Sequence, residues 1–411
     1  MLNTVQWLAG IDLGAEKHRL CVLDANGKIV QQKWVEHSGS ALAEMVDCLR
    51  QITGDAPELL AVGIEVPRGT VVETLVENRF QVFSINPKQL DRFRDRYTAG
   101  GAKDDSRDAY VLADSLRTDR HCFRSVRLDE PTLLHLRELS RLEDSLEEDL
   151  GRTCNQLWQQ LHRYFPELLQ LCSGANELWL WDLLEMAPLP AQAAKLSAGR
   201  LRQILGQRRI RRFDAERLRT ILAAKPVSLA PGAAEAASEH VLILLPRLRL
   251  LHEQYERVRQ RVAKLLEELG TAGEADGQSG EHRDVTILLS LPGVGRKVAA
   301  TMLSEAGQAL ADRDYHGLRC QAGAAPITRQ SGKKKVVGMR YACSQRLRNA
   351  VYYWALNSIS RDEKSKRTYE EMRARGKSHG RALRGIADRW LDVLIAMLRH
   401  RTLFDPLRRV A

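Results

Sequence analysis

The chain has 411 residues, of which 44% are hydrophobic and 28% charged, the make-up of an ordinary globular protein with enough length for two or three domains. No run of about 18 apolar residues occurs, and Met1-Leu2-Asn3-Thr4 lacks a basic segment followed by an apolar one, so neither a membrane span nor a secretory signal is expected and the localisation read is cytoplasmic. The seven cysteines are scattered and form no CxxC pair, which predicts reduced thiols rather than zinc ligands or disulfides. Net charge is +11, and residues 326–384 alone hold 16 Lys and Arg against 4 Asp and Glu, a surplus of 12. Basic charge concentrated in this way predicts a polyanion partner, because each neutralised phosphate releases counterions.

Along the chain, residues 5–13, 19–23 and 28–35 are short apolar runs that read as strands. The last two are joined by Asp24-Ala25-Asn26-Gly27, a hairpin signal. A helix is expected over 41–52, a strand over 59–65, a helix over 71–78 and a strand over 81–85, closed by Asn86-Pro87. Three strands able to pair as a meander, followed by strands with helical crossovers, predict a mixed α/β sheet in the order of the ribonuclease-H-like fold.

Acidic residues stand at the ends of two of these strands. Asp12 closes the first, in Gly10-Ile11-Asp12-Leu13-Gly14, and Glu65 closes another, in Gly63-Ile64-Glu65-Val66-Pro67. Such residues lie at the carboxyl edge of a sheet, where α/β folds place their sites, although a strand-end Asp also suits a turn. Lys103-Asp104-Asp105-Ser106-Arg107-Asp108-Ala109 then opens a helix, with Asp105 and Asp108 on one face. Helix capping accounts for one or two aspartates here, and Asp104 rivals Asp105, being also one turn from Asp108. Four converging carboxylates repel one another unless cations lie among them. Hard oxygen donors suit Mg²⁺ or Mn²⁺, and a metal pair serves phosphoryl transfer. The predicted chemistry is therefore Mg²⁺-dependent attack on a phosphodiester.

From Leu136 the pattern becomes helical. Leu136, Leu139, Leu142, Leu146, Leu150, Leu157 and Leu161 form one stripe, ended by Pro166. Leu244, Leu248, Leu251, Tyr255, Val258, Val262, Leu265 and Leu269 form a second, stepping alternately by four and three. The pair predicts an antiparallel coiled-coil arm, with an ordinary bundle or an oligomer contact as alternatives. Between them lies a helical insertion with a basic patch at Arg208, Arg209, Arg211 and Arg212, and residues 270–280 read as a flexible linker.

Beyond the linker, Leu291-Pro292-Gly293-Val294-Gly295-Arg296-Lys297 looks like a helix-hairpin-helix turn, in which glycines let backbone amides approach a phosphate. Arg329-Gln330-Ser331-Gly332-Lys333-Lys334-Lys335 sets a serine between a turn glycine and three lysines, in reach of phosphate or simply in a solvated loop. The expected nucleic-acid contacts are Gly293, Gly295, Arg296, Lys297, Arg329, Lys333, Lys334, Lys335 and Arg340. Tyr341, Tyr352, Tyr353 and Trp354 either stack on unpaired bases or form the core face of a helix over 347–359.

Taken together, residues 10–14, Ile64-Glu65, 103–109, 291–295, 323–332 and 369–377 resemble, in order, the DEDD transposases of insertion sequences, the type related to Piv DNA invertases and guided by a bridge RNA. The resemblance implies a RuvC-like (ribonuclease-H-like) DEDD catalytic domain, a coiled-coil region and a C-terminal transposase domain; with the linker, the expected division is a catalytic domain over 1–125, a helical coiled-coil region with its insertion over 126–270, the linker at 271–281 and a mainly α transposase domain over 282–411. It also implies a serine nucleophile, which maps to Ser331. The family has a small hydroxyl residue where Asp104 stands, and its serine segment is richer in Ser and Gly, so Ser344 is a rival to Ser331. The expectation is that Asp12, Glu65, Asp105 and Asp108 hold Mg²⁺ or Mn²⁺ while Ser331 forms a phosphoserine link that conserves the bond for rejoining. The partners expected are donor and target DNA, a structured guide RNA and further copies of the chain, as a dimer or tetramer sharing a composite site. A hydrolytic nuclease resembling Holliday-junction resolvases and a non-catalytic nucleic-acid-binding scaffold are the competing readings.

Overall fold

The computed structural model describes residues 5–97, 104–127, 130–271, 283–332 and 334–407, so Lys103, Lys333 and most of the expected linker lie outside the described residues. The chain divides into two compact units, Met1–Glu130 and Pro131–Ala411. Among the described residues no helix is long and apolar enough to cross a membrane.

In the first unit the three early apolar runs become β1 (Trp7–Leu13), β2 (Lys17–Asp24) and β3 (Ile29–Glu36), an antiparallel meander. At the β2–β3 turn Asp24 Oδ1 accepts hydrogen bonds from the amides of Asn26 and Lys28 at 2.9 and 2.8 Å. After α1 (Gly39–Thr53), β4 (Leu60–Ile64) pairs parallel to β1, and after α2 (Thr70–Glu77), β5 (Gln81–Ser84) pairs parallel to β4. Two elements go beyond the sequence expectation. Asn86-Pro87 closes β5 but also starts α3 (Pro87–Arg94), with the Asn86 side chain accepting from the Lys88 amide and proline at a first-turn position that needs no donor. After α4 (Asp105–Asp119) a short β6 (Arg124–Val126) adds antiparallel to β5, completing the order β3-β2-β1-β4-β5-β6.

Side-chain alternation sorts this sheet into three layers. Ala9 and Ile11 of β1, Leu20 and Val22 of β2, and Leu60, Val62 and Ile64 of β4 pack in one core with Met45 and Leu49 of α1 and Val71 and Leu75 of α2. The residues between them turn to the other face, where Leu8, Cys21, Leu23 and Ala61 meet α3 and α4.

Among the described residues the second unit is helical apart from one hairpin. It holds α5 (Pro131–Tyr164), α6 (Pro166–Leu169), α7 (Leu178–Met186), α8 (Pro190–Ala193), α9 (Ala198–Gln207), α10 (Ala215–Leu222), α11 (Ala233–Thr271), α12 (Asp284–Ser290), α13 (Arg296–Ala311) and α14 (Tyr315–Gln321). Strands β7 (Ile327–Ser331) and β8 (Lys334–Gly338) follow, then α15 (Gln345–Ile359), α16 (Glu363–Ala374) and α17 (His379–His400). Helices α5 and α11 lie antiparallel: Leu136 of α5 shares a core with Val262, Leu265 and Leu269 of α11, while Leu157 and Leu161 share another with Val241, Leu244 and Leu248. The α11 stripe is buried or half-buried throughout, but Leu142 of the expected α5 stripe is exposed. Its six-residue step from Leu136 falls about 120° short of two full turns, which carries it off the packed face. The first of the two cores also takes in α12, α13, α15 and α17, so the base of the helix pair and the C-terminal helices are built around one interior.

Candidate active site

Helix α4 lies directly on the sheet, and two glycines make room for it. Gly10 of β1 and Gly63 of β4 are neighbours in register. A Cβ on Gly10 would stand 2.0 Å from the Ala109 carbonyl oxygen and 2.6 Å from the Ala113 amide, and one on Gly63 would stand 3.0 Å from the Leu112 carbonyl oxygen. Ala109 therefore sits over the middle of β1, while further along α4 the Arg117 Nε would lie 3.1 Å from a Cβ on Gly27, in the β2–β3 turn beside the start of β1. The helix consequently runs opposite to β1, and its N-terminus, with Asp105 and Asp108, lies towards the strand's carboxyl end.

The same alternation that turns Gly10 and Gly63 to α4 turns the next-but-one residues, Asp12 and Glu65, to that face. The fold thus directs the two strand-end acids and the first turn of α4 to one edge of the sheet. The Asp104 side chain caps α4, accepting from the Ser106 amide at 3.3 Å, and Asp105 is the first residue of the helix, exposed at its end. Asp108 is 1% exposed and is gripped by Arg94 of α3, whose Nε and Nη2 donate to its two oxygens at 2.5 and 2.8 Å. Burial works against the Arg94 charge, yet the hydrogen bonds and field of Asp108, helped by Asp91 and Glu65, hold its pKa above that of a free arginine. The sequence reading missed Arg94; it is one of several arginines in its segment, and only the packing of α3 beside α4 distinguishes it. Among the described residues no three acidic, His or Cys side chains are gathered as a ready metal cage, with Asp108 turned to a guanidinium instead. The donors are nonetheless hard carboxylate oxygens on a single face, the set that Mg²⁺ or Mn²⁺ takes.

In the second unit the serine segment forms a projecting β-ribbon, which the sequence reading treated as a loop. Strands β7 and β8 pair antiparallel, with Ser331 opposite Lys334, Gln330 opposite Lys335 and Arg329 opposite Val336. Facing residues share a side of the ribbon, so Ser331, Lys334 and Arg329 lie on one side and Lys335 on the other. Ser331 stands at the exposed tip, beside Gly332.

The chain is similar to known transposases. Residues 9–166 match the family model of the DEDD transposase domain of IS110 elements, and residues 285–370 match that of the IS116/IS110/IS902 transposase family. The mini-circle putative transposase for IS117 of Streptomyces coelicolor is 31% identical over 413 residues, covering 98% of this chain and 96% of that protein. The chain belongs to the IS110/IS116/IS902 family of transposases. A 42 kDa protein of insertion element IS900 from Mycobacterium paratuberculosis is 26% identical over 98% of both chains. The putative transposase y4uE of Sinorhizobium fredii is 45% identical, but over only 208 residues, 50% of this chain and 58% of that relative.

The remaining expected contacts of the transposase divide into surface and interior groups. Ser344 is the N-cap of α15, accepting from the Leu347 amide at 3.3 Å, which supplies a structural reason for its presence. Gly293 is buried, and the place of its missing Cβ is closed by the α15 backbone, 2.8 Å from the Ser358 amide and 3.1 Å from the Trp354 carbonyl oxygen. Its glycine is thus required by packing inside the protein rather than by a phosphate outside it. Gly295, at the N-cap of α13, and Arg296 remain at the surface. The Lys297 ammonium lies between Asp144, at 2.9 Å, and Glu147 of α5. Although burial opposes its charge, those two carboxylates raise its pKa, so its charge is answered within the chain. Arg346 binds Asp144 at 2.7 Å and Glu305 at 2.5 Å, making the same seam between α5, α13 and α15. Arg329, Lys334 and Lys335 are exposed and Arg340 half-buried. Of the aromatic residues, Trp354 is core, donating to the Pro292 carbonyl at 3.1 Å, while Tyr341 is 77% and Tyr353 58% exposed.

Proposed function

We propose that this transposase cuts and rejoins the DNA of an insertion sequence by Mg²⁺-dependent phosphoryl transfer, with Asp12, Glu65, Asp105 and Asp108 as the acidic edge and Ser331 as the nucleophile. The observation that carries the reading is the Gly10–Gly63 pair, which lets α4 lie on the sheet and directs the acids of β1, β4 and α4 to one face. A RuvC-like fold is the reading this sheet order supports, with a meander followed by two parallel crossovers.

Asp12, Glu65 and Asp105 are the residues that would hold the metal, and Asp108 joins them when Arg94 releases it. A bound divalent ion there supplies charge neutralisation at the scissile phosphate and at the departing oxygen. The Ser331 hydroxyl attacks phosphorus, forming a serine–phosphate ester as the bond to the leaving sugar oxygen breaks, and the proton given up by the serine hydroxyl balances the one taken up by that oxygen. A second sugar hydroxyl then attacks the ester, restoring the DNA backbone and freeing Ser331. Lys334 and Arg329, on the serine's side of the ribbon, offset charge on the phosphoryl oxygens in both steps. Gly295, Arg296, Lys335 and Arg340 hold the backbone further away, together with Lys333. The guide RNA is supported by the family resemblance, and the concentrated basic charge of residues 326–384 is chemically suited to it. A homo-oligomer is part of the same reading.

The test is cleavage of donor DNA with Mg²⁺ by the full chain and by Asp12→Asn and Glu65→Gln. Cleavage is expected to fall at least about 10²-fold in both, with DNA binding retained, since a positioned charge in a phosphoryl-transfer site contributes on that order. Cleavage by both variants at the native rate would remove the carboxylates from the chemistry.

A further inference from the structure

The row of the sheet that contains Asp12 continues beyond the carboxylates. Ile11 pairs with Ile64, Asp12 with Arg19 of β2, and Arg19 with Trp34 of β3. Cross-strand partners project from the same face. Glu65, Asp12, Arg19 and Trp34 therefore stand side by side on the α4 face, in the order carboxylate, carboxylate, guanidinium, indole. Strands lie about 4.8 Å apart, which puts Trp34 roughly 10 Å from Asp12.

Trp34 is 43% exposed on an edge strand. Two cations attend its ring: the Lys17 ammonium lies 4.4 Å and the Arg19 guanidinium 5.2 Å from the centroid. The Nε of Arg19 is enclosed but meets no acceptor among the described residues. An exposed indole beside two cations supplies the groups that take a base face and its flanking phosphates. We propose that Trp34, Lys17 and Arg19 form a stacking site for an unpaired base of the strand whose phosphate lies at the Asp12–Glu65 edge. The position of the reacting phosphate rests on the function proposed above; the stacking site itself is tested by binding alone.

The test compares native protein with Trp34→Leu, Trp34→Phe, Lys17→Gln and Arg19→Gln, each as the full chain and each checked for a native melting profile. The probes are oligothymidylate and an abasic strand of the same length, with a duplex as control. Native protein is expected to prefer the base-bearing strand by about five- to one-hundred-fold, the range supplied by stacking of one base. Trp34→Leu loses that preference and Trp34→Phe keeps most of it, while duplex affinity stays within about twofold. Lys17→Gln and Arg19→Gln each lower the salt slope of single-strand binding by about 0.7, the value for one lost phosphate contact. An undiminished preference in a folded Trp34→Leu protein overturns the proposal; if that protein instead changes its oligomeric state, the β3 edge is covered by a second copy of the chain. Loss of cleavage in Asp12→Asn with native binding by Trp34→Leu defeats the stacking site alone. Persistence of cleavage in Asp12→Asn with lost preference in Trp34→Leu defeats the carboxylate reading alone.

Discussion

Asp108 and Arg94 form an ion pair in which the carboxylate is almost closed to solvent. A nearly enclosed carboxylate needs a positive partner, and the bidentate guanidinium supplies one. Arg94→Gln should therefore destabilise the metal-free protein by roughly 3 kcal/mol, the cost of leaving a buried charge unpaired. Because the freed Asp108 then becomes available, Mg²⁺ should raise the melting temperature of Arg94→Gln more than that of the native chain. Thermal melts in EDTA and in Mg²⁺ measure this, and equal Mg²⁺ shifts in the two proteins would show that Asp108 and the metal do not communicate. The ribbon makes a similar distinction between adjacent lysines. Lys334 shares the side of Ser331 and Lys335 does not, so rejoining should fall about tenfold or more in Lys334→Gln and much less in Lys335→Gln. Comparable losses in both would argue for a general charge effect.

At the scale of elements, the placement of α4 depends on the absence of two side chains. Gly10→Ala puts a methyl group into the backbone of α4, where no rotamer change relieves the clash. The helix must move, which should cost about 3 kcal/mol or more and displace Asp105 and Asp108 from the edge. Gly295→Ala, with nothing within 4 Å, should be tolerated in stability. Urea unfolding of the two variants checks the contrast. The seam between α5 and its neighbours should respond to pH. Burial, with Asp144 and Glu147 adding, pushes the Glu143 carboxyl up against the opposing pull of Lys297 and Arg259. A raised acid in the folded state means that stability is fully present below the ordinary value of 4.5 and is lost as pH rises towards the folded pKa. Glu143→Gln should therefore gain on the native chain between pH 5 and 8, with the difference shrinking near pH 4, as read from urea midpoints across that range.

These elements also mark how far the sequence could be read. Strands with local apolar alternation and the Asn26-Gly27 turn were legible because their causes are neighbours in the chain. So was the start of α4, although the capping of Ser106 by Asp104 needed the backbone conformation. The β7–β8 ribbon had a signal in Ser331-Gly332 between β-branched flanks, but its strands bury almost nothing and show no apolar stripe. What could not be read were pairings across long stretches of chain: Gly10 with Gly63, Arg94 with Asp108, and Lys297 with Asp144 and Glu147. Lys297 looks like a phosphate contact in its own segment, and only the fold reveals the acids that meet it.

For the molecule as a whole, the charge is distributed unevenly between chemistry and grip. The acids proposed for metal binding lie in β1, directly after β4 and in α4 of Met1–Glu130, whereas the segment with the surplus of 12 positive charges lies in Pro131–Ala411 and includes the serine ribbon. In the proposed reaction the carboxylate edge would serve hydrolysis by water equally well, whereas an ester on Ser331 would carry the bond energy over to rejoining. The most direct measurement is therefore mass spectrometry of the protein after incubation with donor DNA and Mg²⁺, followed by peptide mapping. The account predicts a nucleotide adduct on the peptide containing Ser331, absent from Ser331→Ala and undiminished in Ser344→Ala. Protein-linked DNA persisting in Ser331→Ala, or cleavage and rejoining that proceed without any adduct, would contradict it.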